Sequence, residues 1–559
     1  MRNQGVRCAA WLVVALAMMA TACTGRGESK DGSLASQTGV EHLDLVGSEA
    51  MMVVSMRHIP ERARTIRDSK ALAFVVETVE RVLNDPEIQR EVQRQDEILA
   101  LLERHLKGQI TMVVYDLAED EGSKKAFMII VDTDARALFE AAKGLLDPEG
   151  EPANFESVGE GILRLVEEPD GEPGLFILQA GGVGILGSSA EVVREAAARG
   201  AGGGGRLTEE LSFKSLTKDL DRSQDMFVWL KDWTEGDEWG SMVTGGHSVP
   251  RGVAGTVDLS SGVEVNMEME MGPEDFPDPE ARAVLPIFSE VSRPPTIPKV
   301  LGAESLGYVG VQISVKELVK LLEAREPELM QGLGQGDEQA QHMLKLLTNS
   351  FDGEFGFAVT GPAPDGALPS PELGFVPPGF VIVGRLTTPD VALTLEPMMG
   401  MALGFLQDGP DQVLGPATVE RIGELDVKIH TTSDPGVELG FVFVKEYLVI
   451  GNRAGLRGAL PRIAAGGGEV ALGGGRALVR ESFEVSSNGQ LHLNLPAIYE
   501  IVKGQLGMQM VILSGGVLGG PDDPLAVMLQ VFKFAGGTVS IRGDRVKARL
   551  YLTAEDLVR

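Results

Sequence analysis

Cysteine is nearly absent from this chain of 559 residues: Cys8 and Cys23 are the only two. So few exclude a disulfide framework, and stability has to come from a packed core. Aromatic residues are also scarce, at 5 %, which leaves most of that packing to aliphatic and methionine side chains. The seven histidines (His42, His58, His105, His247, His342, His430 and His492) never stand in a metal-ligand spacing such as HExxH. The acidic clusters Asp116 to Glu121 and Glu235 to Glu238 lack the alternating ligands of a calcium loop. No GxSxG nucleophile occurs, and no Gly-Lys-Ser/Thr follows the glycine run Gly200 to Gly205. Neither a metal nor an organic cofactor is expected. Basic residues are outnumbered 50 to 81, a net charge of −31, so nucleic acid and anionic surfaces repel the chain as a whole.

Long apolar runs are missing too. Ala9 to Ala20 (AAWLVVALAMMA) follows Arg2 and Arg7, the order of an export signal. Its twelve residues would rise about 18 Å as a helix, short of a hydrocarbon core of about 30 Å. Met508 to Leu518 is the next candidate, and Gly515 and Gly516 interrupt it.

Ala20-Thr21-Ala22-Cys23 resembles the lipobox of bacterial lipoproteins. The resemblance implies cleavage before Cys23, a diacylglycerol on its sulfur and an acyl group on its new amino terminus. Ala20-x-Ala22 also fits ordinary small-residue cleavage, which would leave Cys23 a lone thiol in an oxidising compartment. Two or three acyl chains hold a protein firmly where one gives only marginal binding. Thr24, where an aspartate retains such lipoproteins in the inner membrane, implies the outer membrane with the body in the periplasm. Loss of residues 1–22 removes two basic residues and no acidic one, taking −31 to −33. Thr24 to Gly39 is rich in Gly, Ser and charge. It reads as a flexible tether with a typical end-to-end distance of about 20–24 Å.

Beyond the tether, blocks recur in the same order. GSEAMMVVSMRHIPERAR from Gly47 parallels GAESLGYVGVQISVKELV from Gly302, and LKGQITMVVY from Leu106 parallels FDGEFGFAVT from Phe351. AFMIIVDTD from Ala126 parallels FVIVGRLTTPD from Phe380, and hairpin-and-helix stretches begin at Phe176 and Phe441. Glycine-rich loops, the strands DMFVWL and QLHLNL, and closing hairpins from Ala254 and Gly536 complete the series. Alternation marks strands: Leu425, Val427 and Ile429 on one side, and likewise Val546, Ala548, Leu550 and Leu552. Asp85-Pro86 reads as the cap and first turn of a helix.

The expectation is an α+β fold of two internally duplicated halves, each a mainly antiparallel sheet with helices on one face. Its divisions are a signal at 1–22, a tether at 23–40, a first repeat at 41–271, a proline-rich linker at 272–298 and a second repeat at 299–559. This layout resembles uncharacterised bacterial envelope proteins made of repeated strand–helix units, a resemblance that implies no activity.

Gly182, Gly184 and Gly187 match GxGxxG by spacing. That fingerprint needs its glycines in a strand-to-helix turn, whereas Val183, Ile185 and Leu186 read as the strand itself. Two groups are candidate binding residues. Trp233 and Trp239 flank the polar loop TEGDE and suit a platform for glycan or protein, while Trp229 in MFVWL reads as core. Met398, Met399 and Met401 share one expected helix and Met508 and Met510 another, and flexible thioethers suit an adaptable apolar groove. The expected function is a membrane-anchored, non-enzymatic binding or scaffolding lipoprotein, attached through Cys23, with an envelope protein or a lipid as partner. A carrier or sensor of an apolar ligand is the alternative, and an enzyme whose site forms only in three dimensions is the third.

Overall fold

A computed structural model describes residues 41–59, 104, 108–117, 124–146, 153–166, 175–180, 182–231, 251–259, 262–271, 279–288, 293–301, 305–325, 345–346, 348–361, 377–408, 414–432, 438–466, 485–501, 503 and 532–554. They fall into two units that meet in sequence between Met271 and Gly272.

Runs of β-branched and other apolar residues broken by short polar turns pair with their neighbours. In the first unit they form β1 (Ala50–Met56), β2 (Ile110–Leu117), β3 (Lys124–Val131), β4 (Phe155–Gly159), β5 (Ile162–Leu165), β6 (Phe176–Ala180), β7 (Val183–Gly187), β8 (Met226–Lys231), β9 (Gly252–Asp258) and β10 (Gly262–Glu270). These pair antiparallel in the order β4-β5-β6-β7-β3-β2-β1-β8-β9-β10. The 3-10 turns η1 (His42–Leu45) and η2 (Leu207–Glu209) and the helices α1 (Ala135–Leu146), α2 (Ala190–Gly200) and α3 (Leu211–Thr217) fill the connections. Ser189 caps α2 by accepting from Val192 N at 3.2 Å. Val53, Val113, Met128, Ile130 and Ile185 form the core with Phe213 and Trp229, whose rings meet edge to face at 5.8 Å.

The second unit holds α4 (Pro279–Phe288), α5 (Ile297–Leu301), β11 (Gly307–Gln312), α6 (Val315–Arg325), β12 (Phe351–Gly361), β13 (Gly379–Leu386), α7 (Val391–Asp408), β14 (Leu414–Ile422), β15 (Leu425–Thr432), β16 (Glu438–Val444), β17 (Tyr447–Asn452), α8 (Arg453–Ala465), β18 (Gly489–Asn494), β19 (Phe532–Arg542) and β20 (Arg545–Ala554). Its strands pair antiparallel in the order β14-β15-β16-β17-β13-β12-β11-β18-β19-β20. Leu456, Leu460 and Ile463 of α8 pack with Tyr308, Ala358, Val381 and Val449. The start of α8 lies so close to β13 that a Cβ on Gly455 would stand 2.0 Å from the carbonyl oxygen of Phe380. All five tyrosines, Tyr115, Tyr308, Tyr447, Tyr499 and Tyr551, are buried.

The expected α+β class, two duplicated halves with helices on one face, is overturned. The fold is mostly β, with twenty strands in antiparallel pairings against eight α-helices among the described residues. The physical reason is local pairing. Hairpins such as β4-β5-β6-β7 and β14-β15-β16-β17 join each ladder end to end, so the strands form the body and short helices fill the connections. The segment expected as a linker contains α4 and the start of α5. The helix expected at Asp85-Pro86 lies outside the described residues.

Candidate functional site

At one end of β1, β2 and β3 the first unit buries a chain of polar side chains. Asp132 follows β3, Gln109 precedes β2 and His42 opens η1. His42 Nε2 donates to Asp132 Oδ1 at 2.9 Å, and its Nδ1 lies 3.0 Å from Thr111 Oγ1. Thr111 Oγ1 is 3.0 Å from Ser55 Oγ, and Gln109 Nε2 donates to both hydroxyl oxygens at 2.6 and 3.2 Å. One consistent scheme runs Ser55 to Thr111 to His42 to Asp132, each group donating to the next. Burial raises the Asp132 carboxyl, but the hydrogen bond from His42, the Gln109 N–H and the charge of Arg57 bring it below its ordinary value.

Hydroxyl, imidazole and carboxylate in series are the connectivity of a nucleophilic triad. A nucleophile must also reach a substrate. Thr111 and His42 are 0 % exposed and Ser55 3 %, so this chain serves as a lock on η1 and the strand ends.

The second unit has a polar cluster built on a backbone kink. Gly353 takes φ +92°, and a Cβ there would sit 1.9 Å from Ile313 O. The kink accompanies a register shift in the β12–β13 pairing, and next to it Glu354 is 1 % exposed. Glu354 accepts from Thr296 N, from Ile297 N at 2.5 Å and from Thr296 Oγ1 at 2.9 Å, which caps α5. Tyr447 OH donates to Thr296 Oγ1 at 3.2 Å. Arg385 lies 3.6 Å from Glu354 and 3.3 Å from Asp352, which also pairs with Arg293. The adjoining crevice, lined by Tyr308, Gln312, Glu354, Ser487 and Asn488, has no room for a water-sized body. It serves packing.

What lies open is apolar. Along β11 the odd-numbered valines turn outward while Tyr308, Gly310 and Gln312 are buried. Val309 is 45 % exposed, and its partners continue the row: Phe357 at 41 %, Ile382 at 45 % and Leu491 at 41 %. Through Gly537 the row reaches Leu550, 48 % exposed. The adjacent row runs Gly384, Phe355, Val311, Gly489, Val539, Ala548. Neither row holds a charged or polar side chain. At Gly489 a Cβ would meet only Val539, at 4.0 Å, so the floor is low there. Six strands at about 4.8 Å spacing make the face about 24 Å wide. Large apolar residues exposed together in this way mark a binding surface more often than isolated ones do.

Of the residues singled out in the sequence, Met398, Met399 and Met401 lie on α7. Met398 packs on Leu386, Leu395 and Leu448, and Met399 is half-buried. Cys23, Trp233, Trp239, Met508 and Met510 lie outside the described residues. Trp229 is core, 1 % exposed. Gly184 and Gly187 lie in β7, where added Cβ atoms would meet Ala135 at 2.5 Å and Val193 at 2.7 Å; they let α1 and α2 approach the strand. The open rows went unseen in the sequence, because their members are drawn from positions 309 to 550. The one available signal was the stripe Val546, Ala548, Leu550 and Leu552, whose alternation does not say which face is covered. No described helix is long and apolar enough to cross a membrane, and no group of described residues has the makeup of a metal site. No family model, curated protein or solved structure matches the chain.

Proposed function

We propose that this is a lipid-anchored, non-enzymatic binding protein of the cell envelope, and that its second unit takes a lipid acyl chain on the open sheet face. The row from Ile382 to Leu550 carries the reading. Its width of about 24 Å exceeds the roughly 15 Å that one leaflet's chains span, half of a core of about 30 Å. A protein interface needs about one hydrogen bond per 100–200 Å². These two rows offer no polar side chain, which favours an alkyl chain over a protein partner. Attachment through Cys23, with the body in the periplasm at the outer membrane, rests on the lipobox-like Ala20 to Cys23.

Two measurements test the two parts. In a native mass spectrum of the full-length protein, gently extracted from its own envelope, the mass is expected to begin at Cys23 and to include two or three acyl chains. The unmodified mature mass would refute the anchor. Separately, a fluorescent fatty acid titrated into the protein is expected to bind at least ten-fold more weakly to the double variant Val309→Lys, Leu491→Lys. Val419→Lys, at a 67 % exposed position on β14, is the control and should bind as wild type. Equal affinity in the double variant and wild type would remove the acyl-chain reading.

A further inference from the structure

The first unit has an open groove of about 360 Å³ between η1 and α3, lined by Glu41, Asp44, Thr208, Phe213, Lys214, Thr217, Lys218, Leu220 and Arg222. Its acids are engaged. Asp44 accepts from Thr208 Oγ1 at 2.9 Å, and Glu41 faces Arg222 at 3.9 Å. The Arg222 guanidinium lies over the Phe213 ring, 5.8 Å from its centroid, which holds it at the wall. Of the acids nearby, Glu210 pairs with Lys231 at 2.6 Å and Asp221 accepts from Ser223, while Glu209 and Asp219 are exposed. Lys214 and Lys218 are exposed, and neither ammonium has an ion-pair partner among the described residues. The groove therefore gathers two unengaged ammonium groups beside an arginine, in a chain of net charge −31.

We propose that this groove binds a phosphate group, and that the phosphate is that of an anionic membrane phospholipid, whose headgroup carries no cation of its own. Two ammonium groups and a guanidinium around one open groove suit the several oxygens of a phosphate. The lipid source follows from the tether. Glu41 directly follows the expected tether and is a wall of the groove. If Cys23 is acylated, as proposed above, a tether of this length has a typical end-to-end distance of about 20–24 Å, which keeps Glu41 near the bilayer. The overall charge repels an anionic surface, so the groove sets which side of the first unit turns to the membrane and leaves attachment to the acyl chains.

The test has two arms on the full-length protein, each read by hydrogen exchange in peptides spanning 207–222. In the first, the protein is reconstituted into phosphatidylcholine vesicles with and without about one fifth phosphatidylglycerol. In the second, inorganic phosphate is added to the protein in detergent. Exchange is expected to slow at least three-fold with phosphatidylglycerol, and the protection should vanish in Lys214→Glu, Lys218→Glu. These two positions are exposed, so the variant should fold, as an unchanged exchange pattern in β1 to β3 would verify. Protection by inorganic phosphate but not by phosphatidylglycerol would keep the phosphate site and overturn the lipid source. Protection in neither arm would overturn the proposal. Should Cys23 carry no acyl chain, the phosphate arm still decides on the groove itself.

Discussion

Glu354→Ala is expected to destabilise the second unit by about 3–5 kcal/mol, the usual cost of breaking a buried charged pair from one side. The side chain is 1 % exposed and caps α5 through two backbone N–H groups and the Thr296 hydroxyl. Its loss leaves those donors without an acceptor, with Arg385 short of one of its two carboxylates. Unsatisfied buried donors cost about 1–3 kcal/mol each, which makes removing the acceptor worse than never having had it. Glu354→Gln keeps an acceptor oxygen and should recover part of the loss. Hydrogen exchange under denaturant, followed in peptides of β11, β12 and β13, reads the effect where it arises. Wild-type protection of these strands in the alanine variant would mean that the cluster contributes nothing to holding α5.

Acid should weaken the same unit before it reaches ordinary carboxylates. His492 on β18 is 0 % exposed, its Nδ1 is 3.2 Å from Tyr551 OH, and its ring stacks on Phe534 at 5.4 Å. Burial brings its pKa down from 6.5 to about 4. The unfolded chain therefore takes up a proton at a pH where the folded one does not. The stabilising contribution is full above pH 6.5, declines as pH falls and is gone below about 4. Over that window the loss is about 3 kcal/mol, at 1.36 kcal/mol per pKa unit. Denaturation midpoints followed by exchange in β18 and β19 should fall between pH 6.5 and 4, and His492→Gln should flatten the fall. An equally steep decline in that variant would assign it to other groups. Asp132, held below its ordinary value, acts in a separate window. Its contribution is present above the unfolded carboxylate value and is lost only at lower pH.

Strand positions were legible because period-two alternation is local. Val427 and Ile429 are buried while Asp426 and Lys428 are exposed, as alternation along β15 requires. The same rule marked β20 as a strand without saying which of its sides is covered. Its apolar stripe reaches the open face at Leu550, and Tyr551 and Thr553 are buried instead. Alternation separates two faces; which one is covered depends on packing that no single strand encodes. Fold class failed for a related reason, since strand–helix alternation in sequence does not show that hairpins will join the ladders into the main body. The polar clusters were illegible because His42 reaches Thr111 and Asp132 across 69 and 90 positions. Glu354 meets Thr296 across 58. Only pairing of distant strands brings such groups together.

The buried position of Trp229 on β8 has a consequence for spectroscopy. Every tryptophan of the chain, Trp11, Trp229, Trp233 and Trp239, precedes the second unit in sequence. Indole emission therefore comes from no residue of the second unit, and Trp229, 1 % exposed against Phe213, contributes to it a signal from the core of the first. A fluorophore placed by design beside Val309, such as tryptophan at Val311, would give the open face an optical signal of its own.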